Sequence, residues 1–341
     1  MRIGVLTGGG DSPGTNVALR ALVLRAAKRD HQVVAFLDGW KGVLNGEFRE
    51  LVPTDVRELI AVGGTIIGSS RTNPFNTEGG PELCIRQLRE AKVDALITIG
   101  GDDTNGVAHR LAEHGVKVVG IPQTIDNDLG ATDYSVGFHS ALHTVTEALD
   151  RLRTTGHSHH RVMVCEIMGR DSGWLTLFGG LAGGADIILL PEEHFDIDTV
   201  CAELKRLHQE GADYSIVAVA EGAVPQELAG QVVEEEERDA FGHVRLGGIG
   251  KWLAQEIEKR TGLETRDVTL GHLQRGGPPT AAERVLATRM GIKAVGLCES
   301  GQFDMMVVVR GLEIGAVPMT EALQQNRMVP PELVHLNELL G

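Results

Sequence analysis

ALITIGGDDTNGVAHRLAEHGVKVVGIPQTIDND, residues 95–128, places two short apolar runs ahead of two polar clusters. Ala95–Ile99 reads as a strand, Gly100–Asp103 as a turn, and Val107, Ala108 and Leu111 as the apolar face of a helix. A second strand, Val116–Ile121, ends at Pro122, ahead of a loop over Thr124–Asp128. Strand, helix, strand is the βαβ unit of a parallel sheet. Both clusters, Gly100-Gly101-Asp102-Asp103-Thr104 and Thr124-Ile125-Asp126-Asn127-Asp128, follow the carboxyl end of a strand, where open α/β sheets bind their ligands.

The same style extends outward. Strand Ile3–Leu6 leads through Thr7–Gly14 into a helix over Asn16–Lys28. Strand Val162–Ile167 leads into Met168-Gly169-Arg170, and Ile216–Ala220 into Glu221-Gly222. So many strand-end loops in 341 residues point to α/β architecture with two similar three-layer domains, mostly parallel sheets, and a site in the cleft between them. Residues 225–245 break the pattern with Glu234-Glu235-Glu236-Glu237 and read as a solvated hairpin or loop.

Composition narrows the function. A net charge of −15 without a basic stripe argues against nucleic-acid binding. The longest apolar runs, such as Ile187–Leu190, are too short to span a bilayer, and no leader-like segment is seen, so a soluble cytoplasmic protein is expected. Cys84, Cys165, Cys201 and Cys298 form no Cys-x-x-Cys and read as reduced, mostly buried thiols. The 44 glycines cluster between apolar runs, which suits backbone that comes close to ligands. An anionic substrate would need a local island of Arg and backbone N–H groups in so acidic a body.

Thr7-Gly8-Gly9-Gly10-Asp11-Ser12-Pro13-Gly14 can aim N–H groups at an anion, helped by the following helix N-terminus, though a tight structural turn is the alternative. It is neither a Walker A sequence nor a clean Gly-x-Gly-x-x-Gly fingerprint. Asp102 and Asp103 beside a phosphate cradle imply a cation; Mg²⁺ prefers one or two carboxylates plus phosphate oxygens. Thr104 is placed to cap the helix. An Asp cap without metal is the alternative. In Thr124–Asp128 the alternate carboxylates allow one to serve as general base toward a hydroxyl. Arg161, Arg170, Arg266, His272 and Arg275 form a cationic set, four of them on or next to glycine-containing strand ends, which suits phosphate recognition. His157-Ser158-His159-His160 lacks a carboxylate or Cys partner at ligand spacing. Trp40 and Trp174 read as packing residues.

The succession Gly-Gly-Gly-Asp-x-Pro-Gly, Gly-Gly-Asp-Asp-Thr, Pro-x-Thr-Ile-Asp-Asn-Asp, Met-Gly-Arg and Gly-His-x-Gln-Arg-Gly-Gly resembles the phosphofructokinase A family, in its mixed-donor actinobacterial group, over nearly the whole chain. The resemblance implies a Mg²⁺-dependent transfer of a phosphoryl group to fructose 6-phosphate. It implies a donor-phosphate domain over residues 1–137, to which the chain returns at about 274–324. Residues 138–273, with a tail over about 325–341, would hold the sugar phosphate. Asp126 would be the base, Thr124 would contact the transferring group, and Asp102 would hold Mg²⁺. Gly10, Gly101, Asp103 and Thr104 would face the donor, and Arg71 would bridge donor and acceptor. Ile125, Met168, Gly169, Arg170 and Glu221 would hold the sugar, with Arg170 also catalytic. His272 and Arg275 would bind the 6-phosphate, joined by Arg161 and Arg266 of a neighbouring subunit in a homodimer or homotetramer with shared sites.

Asp103 and Gln123 speak to the donor. In the family, ATP users carry Gly where Asp103 stands and pyrophosphate users carry Asp, which favours pyrophosphate here. Pyrophosphate users carry Lys where this chain has Gln123, which leaves the ATP reading open. Gln209-Glu210-Gly211-Ala212-Asp213 lacks the basic residues of nucleotide-regulated relatives, so the usual allosteric control is expected to be absent or altered. Transfer to another sugar phosphate such as sedoheptulose 7-phosphate, and a non-catalytic metabolite sensor, are the competing readings. Asp126, Asp102 and Arg71 argue against the sensor, which needs no base.

Overall fold

In the computed structural model, residues 1–228, 230, 232–235 and 245–336 are described. Most of the chain forms two sheets. The larger contains β1 (Arg2–Thr7), β2 (Gln32–Phe36), β3 (Phe48–Leu51), β4 (Ala95–Gly100), β5 (Val118–Thr124) and the short β6 (Val136–Gly137). The smaller contains β7 (Val162–Ile167), β8 (Ile187–Leu189) and β9 (Ser215–Ala220). An outlying antiparallel ribbon, β10 (Val233–Glu235) with β11 (Arg245–Leu246), precedes β12 (Thr265–Thr269) of the smaller sheet. The chain then returns to the larger one as β13 (Met305–Arg310) and β14 (Glu313–Pro318).

The larger sheet runs β14-β13-β5-β4-β1-β2-β3, with β6 against β5. It is parallel except at its rims, where β2 meets β3 and β13 meets β14 antiparallel. The smaller sheet, β12-β7-β9-β8, is parallel throughout. Strands such as β4, β7 and β9 are buried along their whole length, because parallel strands are covered by helices on both faces. Helices α1 (Thr15–Ala27), α2 (Trp40–Asn45), α3 (Pro53–Val56), α4 (Gly80–Glu90) and α5 (Asp102–Ala112) belong to the first pass along the chain. They are followed by α6 (Phe138–His159), α7 (Trp174–Gly183), α8 (Ile197–Gln209), α9 (Ile249–Thr261) and α10 (Ala281–Glu299). One face of the larger sheet packs on α1 and α10, the other on α2, α4 and α5. The smaller sheet lies between α8 with α9 and α6 with α7. These are the two three-layer units expected from the sequence.

Element ends differ from that reading by one to three residues, β5 for example starting at Val118 and not Val116, and two of these differences fall at the site. Pro122 does not end its strand: β5 continues to Thr124, with Pro122 opposite Gly100. β13 has left the other side of β5 by Gly120, and β6 joins only at Gln123, so the missing N–H of Pro122 breaks no ladder there. The turn after β4 is also shorter, because α5 already begins at Asp102, where acidic residues in the first turn complement the helix dipole. Of the four expected hairpin acids, Glu234 and Glu235 lie in β10, and Glu236 and Glu237 lie outside the described residues. All four cysteines are free and buried, and Trp40 and Trp174 are 1% and 3% exposed, as packing residues should be. Among the described residues no helix is long and apolar enough to cross a membrane.

Candidate active site

Six polar segments leave the carboxyl ends of β1, β4, β5, β7, β9 and β12, and they interlock. The two glycine loops of the larger sheet are pressed together by Thr104. A side chain on Gly8 would place its Cβ 2.5 Å from Thr104 Oγ1, and one on Gly100 would meet the Gly8 carbonyl at 2.8 Å. Thr104 therefore fills space under the loops and does not cap α5; the N-cap is Gly101, three residues earlier, beyond the reach of that packed hydroxyl. Trp40 Nε1 fixes the same turn by donating to the Thr104 carbonyl at 3.2 Å.

The Gly8–Gly14 loop is held on two more sides. Ser69 Oγ donates to the Gly9 carbonyl at 2.6 Å, and Gly9 N donates to the Ser70 carbonyl at 3.2 Å. That pairing sets exposed Arg71, the next residue, at the loop's edge. Gln123, 2% exposed, donates from Nε2 to the Gly10 carbonyl at 2.9 Å. Gly10 also lies against the guanidinium of Arg275, which arrives from the Gly271–Arg275 turn after β12. Arg275 Nε is buried without a hydrogen-bond partner, a donor left for an anion.

Asp126 sits where these elements meet. Its backbone N–H donates to Thr124 Oγ1 at 3.1 Å, and Ser172 Oγ donates to its carbonyl at 3.3 Å. Burial raises the Asp126 carboxyl above its ordinary value. Arg275 and Arg170 pull it back, and Asp102 pushes with burial. Asp128 is pushed up to about 8, by burial first and then by Asp126 and Asp102. Glu221 is lifted to about 7 by burial and by Asp126. Three carboxylates thus resist ionisation in one place while Arg170 and Arg275 face them, an arrangement typical of functional sites.

On the side of the smaller sheet, Glu221 accepts from Arg170 N at 3.0 Å and Gly169 N at 3.4 Å, so it orients the Met168–Arg170 loop. Gly169 has φ +150, and a Cβ there would fall 2.5 Å from the Ser172 carbonyl. Gly169→Ala is therefore expected to cost about 1–3 kcal/mol of stability and to weaken acceptor binding. Thermal denaturation and the acceptor KM check this; an unchanged Tm and KM would show that the loop adjusts freely.

Most of the expected residues come together: Gly10, Gly101, Asp102, Gln123, Thr124, Ile125, Asp126, Met168, Gly169, Arg170, Glu221 and Arg275 line the junction of the six segments. Asp103 is half-buried in the first turn of α5, and His272 is exposed on the Gly271–Arg275 turn. Arg161 and Arg266, expected to serve a neighbouring subunit's site, lie apart from this junction. They lie at the entry of β7 and β12, not at a strand end, where Glu264 pairs with both at 2.7 and 2.6 Å. The length of β7 separates them from Met168, roughly 20 Å at the usual rise per residue. Within one chain they do not join the site. His157 and His160 each lie 3.8 Å from Asp213, a carboxylate brought near by the fold and invisible in their spacing.

Two residues were not singled out from sequence. Gln274, fully buried, accepts from Met168 N at 3.3 Å and donates to the Gly271 carbonyl at 3.0 Å, so it joins the β7 and β12 loops. Its position inside Gly-His-Leu-Gln-Arg is the only sequence signal. Glu283, also fully buried, accepts from Gly137 N at 2.8 Å and Ser140 N at 3.1 Å, where the chain enters α6. Burial lifts it to about 7 against those donors.

Known proteins resemble this chain over most of its length. The family model described as phosphofructokinase matches residues 2–298. The pyrophosphate–fructose 6-phosphate 1-phosphotransferase of Amycolatopsis methanolica is 53% identical over 333 residues, 97% of each chain. The ATP-dependent 6-phosphofructokinase 3 of Streptomyces coelicolor is 45% identical, again over 97% of each chain. Among solved structures, phosphofructokinase from Saccharomyces cerevisiae superposes with a TM-score of 0.83 at 30% identity, over 95% of this chain and 45% of that one.

Proposed function

The chain belongs to the phosphofructokinase family, and from that membership and its site we propose that it transfers a phosphoryl group from pyrophosphate to the 1-hydroxyl of fructose 6-phosphate, giving fructose 1,6-bisphosphate. The observation that carries the chemistry is the setting of Asp126, half-buried beside two N–H-rich loops, with desolvation raising its carboxyl and the charges of Arg275 and Arg170 opposing that rise. A base that resists ionisation is matched to taking an alcohol proton near neutral pH.

In this reading the sugar 6-phosphate meets Arg275 and His272, the ring lies on Met168–Arg170, and the 1-hydroxyl points at Asp126. Arg71 and Arg170 stabilise charge on the equatorial oxygens of the transferring group, and Thr124 donates to it. Gly10 and Gly101 supply close backbone approach for the donor. Asp102 suits Mg²⁺: its charge raises both Asp126 and Asp128, a local excess of negative charge that a cation relieves. Mg²⁺ would be held there by one or two carboxylates, Asp102 first, together with phosphate oxygens of the donor. When bound, Mg²⁺ neutralises donor charge; the proton and the acceptor are handled by the chain's own groups.

The larger sheet would hold the donor and the smaller one the sugar phosphate. Arg161 and Arg266, remote from their own chain's site, would complete a neighbour's site in a homo-oligomer. Reduced, buried cysteines suit a cytoplasmic enzyme.

Asp103 favours pyrophosphate over ATP, while neutral Gln123, committed to the Gly10 carbonyl, is the observation on the ATP side. The deciding experiment assays purified protein with fructose 6-phosphate and Mg²⁺, with pyrophosphate and with ATP separately. The expected result is turnover with pyrophosphate at a kcat/KM at least about tenfold above that with ATP, or ~1.4 kcal/mol. Preference for ATP would overturn the donor assignment, and no turnover with either would overturn catalysis.

A further inference from the structure

The segment Arg327–Val329 crosses back over the site from the far end of the chain, and no role was assigned to it above. Arg327 N–H donates to the Asp128 carbonyl at 2.6 Å. Its guanidinium Nη1 donates to the Asp133 carbonyl at 3.0 Å. One residue thereby bonds both ends of the stretch that follows the base. The guanidinium carbon also lies 4.0 Å from the centroid of the Trp174 ring, and Trp174 Nε1 donates to the Arg327 carbonyl at 2.9 Å. Trp174 opens α7 four residues after Arg170. Two residues on, Val329 N donates to Glu192 Oε1 at 3.0 Å, an oxygen that also accepts from Gly173 N at 2.9 Å. Val329, 3% exposed, shares a core cluster with Ile125 and Trp174.

Taken together these contacts tie the base loop, through Asp128 and Asp133, to the sugar loop, through Gly173 and Trp174. We propose that Arg327 is a positioning residue that sets Asp126–Asp128 against Arg170–Gly173, and so aligns the acceptor hydroxyl with its base. A guanidinium is required because its plane can stack on Trp174 while an edge N–H reaches Asp133; a lysine ammonium can do one or the other. Burial lowers the Arg327 pKa, opposed by Asp133, as for a cation held for its contacts and not for its hydration. None of its polar contacts is to the Gly8–Gly14 or Gly100–Thr104 donor loops. Its effect should therefore fall on the acceptor and on turnover.

The proposal rests on the phosphofructokinase reading, and the test separates the two. Wild type, Arg327→Ala, Arg327→Lys and Trp174→Phe are compared by steady-state kinetics with fructose 6-phosphate and whichever donor the wild type uses. Arg327→Ala should lower kcat/KM for fructose 6-phosphate by roughly ten- to a hundredfold, the scale of a misaligned reacting pair. KM for the donor should stay within about twofold, since uniform binding on that side is untouched. Arg327→Lys should fall between. Adding Trp174→Phe to Arg327→Ala should cost less than the two single losses combined, because both weaken the guanidinium–ring stack, while the Nε1 bond to the Arg327 carbonyl is lost only with the indole. If Arg327→Ala does not fold, the lysine and phenylalanine variants carry the same test through their acceptor-against-donor split. A lower Tm with unchanged kinetics, or equal losses on donor and acceptor, would overturn the positioning role. A wild type inactive with both donors would overturn the functional reading and this one with it.

Discussion

Asp126→Ala should lose between ~10² and ~10⁴ in turnover, the range for removing a positioned general base. The structure gives the loss this size because nothing nearby replaces the base. Asp128 is the nearby carboxylate, but it is pushed up to about 8 by burial first, and burial and the Asp102 charge still oppose its ionisation when Asp126 is gone. Glu221 is committed to the Gly169 and Arg170 amides. Asp126→Asn keeps the shape, so it should bind fructose 6-phosphate nearly as well and still fail to turn it over. The wild-type pH profile carries the same information. A base works only when deprotonated, and burial raises Asp126, so the working form is lost from a higher pH than for an ordinary carboxylate. kcat/KM should fall about tenfold per pH unit on the acid side of that limb, which belongs to the coupled Asp126–Asp128 pair. Near-normal turnover of Asp126→Ala, or a limb near the usual ~3.9, would remove Asp126 from this role.

The parts of the molecule that were legible in the sequence are those whose cause is local. Apolar runs such as Ala95–Ile99 and Val162–Ile167 are strands because both faces of a parallel sheet are buried, and their ends follow from the glycines next to them. The strand-end rule then places Asp102, Asp126 and Arg170 at one junction with no further information. Pairings across the chain were not legible. Thr280 Oγ1 accepts from Glu283 N at the start of α10, but the Glu283 carboxylate does not turn back to its own helix start. It reaches the start of α6 instead, and Thr280 N donates to Ser140 Oγ. Thr104 likewise has a capping side chain but packs against Gly8, because the two glycine loops come together only in the fold. Arg161 and Arg266 were grouped with the other cations by residue type, and their shared pairing with Glu264 at the entry of their strands could not be read from spacing. Arg327 is some 200 residues from the loop it holds, and no spacing could connect them.

Asp103→Gly should raise kcat/KM with ATP, by up to about a thousandfold, while pyrophosphate turnover falls or is little changed. Asp103 lies in the first turn of α5, two residues after the Gly101 cap, so its carboxylate stands at the positive end of the helix that a donor phosphate would otherwise use. A third phosphorus brought within ~4 Å of that carboxylate costs roughly 4 kcal/mol per charge pair at an effective dielectric near 20. That is about three decades in affinity. Pyrophosphate has no third phosphorus and avoids the cost. Removing the carboxylate removes the repulsion and leaves space, but it adds no attraction. Gln123, buried and bonded to the Gly10 carbonyl, supplies no positive charge either, so the gain should fall short of the full figure. Gln123→Lys separates the two effects. A cation beside Gly10 should improve pyrophosphate use in the wild type by attraction alone, without admitting ATP. Steady-state kinetics with both donors across the three proteins reads the outcome directly. If Asp103→Gly leaves ATP use unchanged, charge at this position does not select the donor, and the preference must come from the shape of the glycine loops that Thr104 holds together.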